Sequence, residues 1–216
     1  MTNQRAIHRI VCFGDSTTAP REKVDVYSNA LERTFPEVTV INRGQRGDTT
    51  TNALQRFRTD VLELLPDIVI IQFGINDAAV DVWKDPATLS SRVGLSAFAT
   101  NLRKFIDQIQ AIQGRVLLLT PNQLRWTEAL LALYGKAPYK PKEERGFNGI
   151  LQKYAEAVRT VAREKHIELI DIYMLYDRWE ESTHRSCSEL LLDGIHPNTS
   201  GHSLVAQELI TVLKKL

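Results

Sequence analysis

Five short apolar runs alternate along the chain with longer segments of helical periodicity. The runs, rich in Val, Ile and Leu, cover 8–13, 38–41, 67–73, 115–120 and 167–172. Between them, apolar residues recur every three or four positions in the segments 24–35, 50–65, 91–112, 147–165 and 200–216. Runs of this kind predict buried strands, and the three- and four-residue spacing predicts amphipathic helices. Because strands that alternate with helices pair in parallel through crossovers, the sequence predicts a five-stranded doubly wound α/β sandwich.

We expect one domain over residues 1–216, because no repeat, low-complexity tract or shift in composition marks a boundary. Residues 121–146 are irregular and carry three prolines and one short apolar piece. A connection of this length is commonly a lid, a binding loop or an oligomer contact. It follows the fourth predicted strand, so it should overhang the carboxyl edge of the sheet. Its candidates for substrate contact, for which surface packing is an equal explanation, are Arg125, Trp126, Tyr134 and Tyr139.

Composition and charge exclude several classes of function. With 216 residues, 43% of them hydrophobic, the chain can bury a sizeable core. The net charge is +1 and no block of like charge occurs, so we expect no nucleic-acid partner. The longest apolar runs are of strand length, so we expect no membrane span. The first residues lack the apolar core of a secretory signal, which favours the cytoplasm; removal of a signal peptide would instead indicate a secreted or periplasmic protein.

The first apolar run ends abruptly on Gly14, Asp15 and Ser16. Open parallel α/β sheets bind their ligands beyond the carboxyl ends of the strands, so a serine hydroxyl at this edge is well placed for chemistry. The same three residues are also ordinary turn composition. The block alone therefore leaves both interpretations open.

Residues 193–197, near the other end of the chain, supply the partners that a serine nucleophile needs. His196 can take the serine proton, and Asp193 can fix the imidazole tautomer and stabilise its cation. We predict a catalytic triad of Ser16, Asp193 and His196. The negative oxygen that forms during acyl transfer needs hydrogen-bond donors. The backbone N–H groups of Ser16 and Gly47 and the carboxamide of Asn76, each following a predicted strand, are the candidates.

Three acidic residues near these blocks have structural roles in our interpretation. Asp15 orders the serine turn by accepting backbone N–H bonds. Asp77 caps the helix that follows it. Asp48 either orders its own loop or caps the next helix.

The order and spacing of the four blocks resemble those of the SGNH hydrolases, the superfamily that includes the GDSL esterases and lipases. In this resemblance, residues 14–16 form the nucleophile block, Gly47 is the oxyanion glycine, residues 74–77 contain the oxyanion asparagine, and residues 193–197 contain the acid and the base. It extends from Ile10 to about Leu209. It implies a flavodoxin-like three-layer sandwich with sheet order 2-1-3-4-5 and helices on both faces. It also implies ester hydrolysis without a metal or another cofactor.

Thr17 departs from the GDSL pattern, which has leucine at this position. The resulting Gly-Asp-Ser-Thr block is similar to that of relatives that remove acetyl groups from carbohydrates. The resemblance therefore implies a serine esterase that hydrolyses short-chain, chiefly acetyl, esters of a small molecule or an oligosaccharide through an acyl-enzyme. Thr17 and Asp48 join Arg125 and Trp126 as candidate substrate-binding residues.

Two alternatives stay open beside this interpretation. The same machinery serves thioesterases, lysophospholipases and arylesterases. A different class is a noncatalytic module that binds a carbohydrate or a partner on the same fold. The intact set of serine, asparagine, aspartate and histidine argues against such a module. The oligomeric state is not predicted.

Three further patterns carry little weight. Residues 201–205 begin like a nucleophile elbow, but Val205 replaces the second glycine that the motif requires. His184 and Cys187 could touch one metal ion, yet two ligands without a companion pair make a weak site. Cys187 is expected in a polar loop, as a free thiol. The glycine pair after the second strand lacks the lysine of a phosphate loop. We therefore predict no metal site.

Overall fold

The computed structural model describes residues 7–216 and has a five-stranded parallel sheet at its centre. The spatial order of the strands is 2-1-3-4-5, the order that the resemblance to the SGNH hydrolases implied. The strands are β1 (Arg9–Gly14), β2 (Thr39–Gly44), β3 (Ile68–Gln72), β4 (Arg115–Leu119) and β5 (Glu168–Ile170). The chain passes from β1 to β2 on one side and then to β3 on the other. This reversal makes the carboxyl end of β1 the usual place for a ligand.

Helices cover both faces of the sheet. They are α1 (Tyr27–Thr34), α2 (Thr50–Asp60), α3 (Ile75–Ala78), α4 (Leu95–Ala111), α5 (Glu128–Tyr134), α6 (Leu151–Lys165), α7 (Ile172–Thr183) and α8 (Thr199–Leu213). Among residues 7–216, none of these helices combines the length and the apolar character needed to cross a membrane.

Successive side chains along the strands point alternately into two separate hydrophobic cores, one on each face of the sheet. In β1, Val11 and Phe13 face the core formed with α2, α4 and α6, whereas Ile10 and Cys12 face the core formed with α1, α7 and α8. The ring of Phe13 contacts Phe57 of α2 and Phe105 of α4, with ring centroids 5.5 Å apart in each pair. Burial of these rings against one face of the sheet helps to fix the strand that carries Ser16.

The structure differs from the sequence prediction in the connections. The run predicted as a strand over 167–172 forms only the short β5, because Asp171 caps α7 by accepting the N–H of Met174 at 3.2 Å. Helix α7 itself was not predicted. Residues 121–146 contain the short helix α5. The second predicted helix ends early, at Asp60, and a short 3-10 turn follows.

Gly44, at the end of β2, brings the second strand against the loop that carries the serine. A Cβ atom at this position would lie 2.2 Å from the backbone nitrogen of Ala19. Two residues earlier, Asn42 donates from Nδ2 to the Thr18 carbonyl at 2.8 Å. The position of the serine loop therefore depends on a close approach that only glycine allows.

We expect Gly44→Ala to lower stability by about 1–3 kcal/mol, because a methyl group would push the two backbones apart. The same displacement should reduce esterase activity. Gly149→Ala is the matched control, because a Cβ atom there meets nothing within 4 Å. Thermal melting and kcat/KM of the two variants check this prediction; equal effects from both would contradict it.

Candidate active site

Ser16 sits in a tight turn directly after β1, and Asp15 orders that turn. The Asp15 carbonyl accepts the N–H groups of Thr18 and Ala19, at 3.1 and 3.0 Å. The Asp15 carboxylate accepts both the N–H and the hydroxyl of Thr17, each at 2.8 Å. Asp15 is buried, whereas the neighbouring Ser16 is partly exposed to solvent. The structural role predicted for Asp15 is confirmed.

Ser16, His196 and Asp193 form one continuous chain of hydrogen bonds. The Ser16 Oγ atom lies 2.9 Å from His196 Nε2, and His196 Nδ1 lies 2.7 Å from Asp193 Oδ2. The other Asp193 oxygen accepts the N–H groups of Ile195 and His196, at 3.1 and 2.9 Å. These contacts hold the imidazole with Nε2 directed at the serine.

A glycine makes the tight turn between the acid and the base possible. Gly194 has a φ of +85°, and a Cβ atom there would lie 2.3 Å from the Arg125 carbonyl. The Arg125 N–H in turn donates to the Gly194 carbonyl at 2.9 Å. The segment after β4 therefore supports the turn that carries Asp193 and His196.

The electrostatic environment of Asp193 favours its charged form. Partial burial alone would raise the pKa of this carboxyl. The hydrogen bonds from the His196 ring and from the backbone N–H groups of His196 and Ile195 outweigh that effect and hold the pKa of Asp193 well below its usual range. A carboxylate that stays ionised can stabilise a protonated imidazole beside it.

The backbone N–H groups of Ser16 and Gly47 are free donors at this edge. Within residues 7–216, neither donates a hydrogen bond to another protein group. Gly47 has a φ of +79°, in the left-handed region that favours glycine. Arg56 donates to Asp48 of this loop at 2.6 Å, to the Gly14 carbonyl at 3.1 Å and to the Arg43 carbonyl at 2.9 Å, and so joins the loop to the ends of β1 and β2.

Asn76 and Asp77 lie at the start of α3, directly after β3. The Asn76 Nδ2 atom is 3.4 Å from Asp15 Oδ2, which places its carboxamide beside the serine turn. Asp77 is fully buried, and its Oδ1 accepts the N–H and the hydroxyl of Thr50, at 2.8 and 2.5 Å. Asp77 therefore caps the first turn of α2. The prediction that it caps its own following helix was wrong, because its side chain turns toward the N-terminus of a neighbouring helix.

A small cleft with mostly apolar walls opens beside Ser16. Its volume is about 110 Å³, well below the roughly 300–1,000 Å³ of pockets that hold drug-sized ligands. Ser16, Asn76 and His196 lie on its polar side. Its other walls are formed by Ile75, Ala78, Ala79, Arg92, Leu124, Tyr134, Tyr139, Phe147, Ile150, Leu151 and Ile195.

None of the four candidate substrate-binding residues is among the residues that line this cleft. Thr17 is buried, and its hydroxyl is engaged by Asp15. Asp48 is also buried, and Arg56 donates to it at 2.6 Å.

Arg125 is 3% exposed because its guanidinium is buried in an ion pair with Glu180. Trp126 stacks on Phe147, with ring centroids 4.4 Å apart. Each of these four side chains has a protein partner, and their predicted contact with substrate stays a prediction.

The two tyrosines of the same segment, Tyr134 and Tyr139, do line the cleft. Their rings meet edge-to-face at 5.6 Å. Arg92 and Phe147 also line it and were missed. Their sequence surroundings gave no signal, because Arg92 lies in a segment predicted as helix and Phe147 follows an irregular stretch.

The weaker motifs do not form sites. His202 is buried within α8. Cys187 is a free thiol but is fully buried, contrary to its expected place in a polar loop, because Glu180 accepts its backbone N–H and the chain folds under α7. Among residues 7–216, no cluster of three or more His, Cys, Asp or Glu is arranged to hold a metal ion.

A family model supplies the identity that the geometry suggests. The GDSL-like Lipase/Acylhydrolase family matches residues 12–204. The chain belongs to this family. Its members are acylhydrolases, so the protein is a carboxylic ester hydrolase, and the predicted resemblance to the SGNH and GDSL enzymes is confirmed.

Individual relatives agree with this assignment at low identity. A curated acetylxylan esterase from Geobacillus stearothermophilus is 23% identical over 185 residues, covering 83% of this chain and 75% of its own. The crystal structure of a lipase/acylhydrolase from Enterococcus faecalis has a TM-score of 0.71 and 26% identity, and the match covers 97% of this chain and 96% of that one. A crystal structure of an acetylxylan esterase from Geobacillus stearothermophilus has a TM-score of 0.73 and 22% identity, covering 94% and 93% of the two chains.

The buried carboxyl of Asp77 should make stability depend on pH. Burial raises the pKa of Asp77 to about 7, against the opposing hydrogen bonds from Thr50. In an unfolded chain the carboxyl titrates near about 3.9. The folded state therefore holds this proton more tightly, and stability should fall as pH rises from about 4 through 7.

Asp77→Asn should remove this part of the pH dependence, because the amide keeps the oxygen that accepts from Thr50 and cannot ionise. Melting temperatures from pH 5 to pH 8 measure it, with Glu181→Gln on the exposed side of α7 as the control. An Asp77→Asn variant with the parent's profile would rule out the buried proton, because the other titrating groups, buried His202 among them, are the same in both proteins.

Proposed function

We propose that the protein is a serine esterase that hydrolyses short-chain acyl esters, chiefly acetyl esters, of a carbohydrate through an acyl-enzyme. The observation that carries this proposal is the hydrogen-bond chain from Ser16 through His196 to Asp193, with distances of 2.9 and 2.7 Å. A serine hydroxyl is a weak nucleophile unless a base is within hydrogen-bond reach. Here the base is in reach and is itself oriented by a carboxylate.

In the first half-reaction, Ser16 Oγ attacks the acyl carbonyl while His196 Nε2 takes the hydroxyl proton. The carbonyl oxygen becomes negative and accepts from the N–H groups of Ser16 and Gly47 and from Asn76 Nδ2. The C–O bond to the alcohol then breaks, and His196 returns its proton to the leaving alkoxide. The products are a free alcohol and an acyl group on Ser16.

In the second half-reaction, water takes the place of the alcohol. His196 accepts a proton from the water as the oxygen attacks the acyl-enzyme. Collapse of the tetrahedral intermediate releases the carboxylic acid, and the proton on His196 returns to Ser16 Oγ. Asp193 stays ionised throughout and stabilises the imidazolium in both half-reactions.

The size of the cleft supports a short acyl group. A volume of about 110 Å³ with apolar walls suits a few carbon atoms and leaves little room for a long chain. The similarity to acetylxylan esterases agrees with an acetyl group and suggests a carbohydrate alcohol. A noncatalytic binding module is disfavoured, because such a module has no need of a serine, a histidine and an aspartate in hydrogen-bond contact.

A second candidate within the family is a thioesterase, lysophospholipase or arylesterase. The aromatic part of the wall, Tyr134, Tyr139 and Phe147, favours it. These rings offer an apolar surface to an aryl group or to the start of an alkyl chain. The two candidates differ in the acyl length and in the leaving group that the enzyme prefers.

A substrate panel with the parent protein and Ser16→Ala tests the proposal. The panel contains p-nitrophenyl acetate, butyrate, octanoate and palmitate, acetylated xylo-oligosaccharides and acetyl-CoA. We expect kcat/KM to be highest for acetate and to fall with chain length, and acetate to be released from the oligosaccharides. Ser16→Ala should reduce every one of these rates by about 10³-fold or more, as loss of a triad serine does.

A preference for octanoate or for acetyl-CoA would contradict a carbohydrate acetylesterase and favour the second candidate function. Full activity of Ser16→Ala, with the variant folded by circular dichroism, would contradict the nucleophile itself.

A further inference from the structure

Arg92 lines the same cleft as Ser16 and contacts the carboxamide of Asn76. It precedes α4, and its side chain is 30% exposed. Its Nη1 atom donates to Asn76 Oδ1 at 3.1 Å. Its Nε and Nη2 atoms donate to Asp81 Oδ1, at 3.0 and 2.7 Å. One guanidinium thus joins a buried carboxylate to the carboxamide beside the serine.

The two ends of the Asn76 carboxamide face a cationic donor and a carboxyl oxygen. The guanidinium of Arg92 faces the oxygen, and the carboxylate of Asp15 faces the nitrogen, with Asp15 Oδ2 at 3.4 Å from Nδ2. A flipped amide would direct its NH₂ group at a cation and its oxygen at a carboxylate, so both contacts select the same orientation. The contact to Asp15 is long, and an NH₂ group has two hydrogens. A hydrogen of Nδ2 is therefore available to a substrate oxygen.

We propose that Arg92 is a positioning residue for oxyanion stabilisation: it fixes the orientation of the Asn76 carboxamide and polarises it toward the reacting oxygen. This inference rests on the proposed function, in which Asn76 is an oxyanion donor. Donation from a cation to Oδ1 draws electron density from the amide and makes its N–H groups stronger donors. The effect grows as negative charge develops on the substrate, so it acts mainly in the transition state.

Arg92 can hold this geometry because its other contacts anchor it. Asp81 is buried and binds Lys84 Nζ at 2.7 Å in addition to Arg92. Burial would raise the pKa of Asp81, but the hydrogen bonds from Arg92 and Lys84 outweigh it and lower the pKa, so Asp81 stays ionised. The backbone N–H of Arg92 donates to the Ala79 carbonyl at 2.9 Å. The guanidinium therefore needs little reorganisation when the oxyanion forms.

The test compares kcat and KM for p-nitrophenyl acetate in Arg92→Met, Asn76→Ala and the double variant. This substrate is uncharged, so it offers no ion pair to Arg92. We expect Arg92→Met to lower kcat by about 10-fold or more with KM changed less than about twofold, because the lost interaction belongs to the transition state. Asn76→Ala should lower kcat by about 10²–10³-fold, as loss of an oxyanion donor does. In the Asn76→Ala background, Arg92→Met should cost almost nothing further.

Two more variants separate positioning from a purely structural role. Lys84→Met removes the other cation on Asp81 without touching Asn76, and should leave kcat within about twofold. Arg92→Lys keeps a positive charge for Asp81 and so protects the fold, but a lysine lacks the fork that reaches two oxygens at once. It should still lose kcat several-fold at an unchanged melting temperature.

An unchanged kcat in both Arg92 variants would overturn the inference, as would a loss confined to KM. Losses that multiply in the double variant, or an equal loss in Lys84→Met, would overturn it as well. Failure of the proposed function would give a different result: the Ser16→Ala variant would then hydrolyse the ester as fast as the parent does. In that case Asn76 would have no oxyanion to bind, and both proposals would be overturned together.

Discussion

The hydrogen bond between His196 Nε2 and Ser16 Oγ is the interaction on which the rest of the site depends. It joins residues 180 positions apart in the sequence, at a distance of 2.9 Å. Such a contact exists only if β1 occupies an inner position in the sheet and the turn at Gly194 lies over its carboxyl end. The aromatic packing of Phe13 and the close approach of Gly44 to the serine loop fix the first of these conditions. The segment after β4 fixes the second.

Charge compensation is the second constraint at this edge of the sheet. Three carboxyl groups, Asp15, Asp77 and Asp193, lie near one serine, and burial raises the pKa of the first two. Asp193 is held well ionised, by the imidazole and two backbone N–H groups. The low pKa of Asp193 suits the proposed mechanism, since this carboxylate must stabilise an imidazolium.

Much of the fold could be predicted from the sequence because its signals are local and periodic. The five apolar runs marked the strands, and the alternation with helices gave the parallel sheet. Helix α7 was missed because its apolar and polar residues are not cleanly separated onto two faces. In addition, its first residue continues the apolar run that was predicted as a strand. The short helices α3 and α5 escaped for a related reason, since four to seven residues show no clear period.

The polar residues near the serine could be found from the sequence only where a motif names them. Ser16, Asn76, Asp193 and His196 belong to blocks of recognisable spacing, and the structure brings these four together. Arg92 does not, because its contact with Asn76 arises from the path of the loop before α4. Thr17, Asp48 and Arg125 were predicted to contact substrate from their place in the sequence alone, and their side chains lie in buried hydrogen bonds and ion pairs that no motif indicated. Sequence spacing locates a strand end, whereas the direction of a side chain depends on its partners.

The most direct test of the central claim is covalent labelling with a fluorophosphonate ester, followed by peptide mapping. This reagent reacts with a serine that a neighbouring base activates, and it forms a stable adduct in place of the acyl-enzyme. The account predicts one label per chain, on Ser16, with the rate of labelling strongly reduced in His196→Ala. A label on another residue, or labelling of Ser16 at the same rate without His196, would contradict the account.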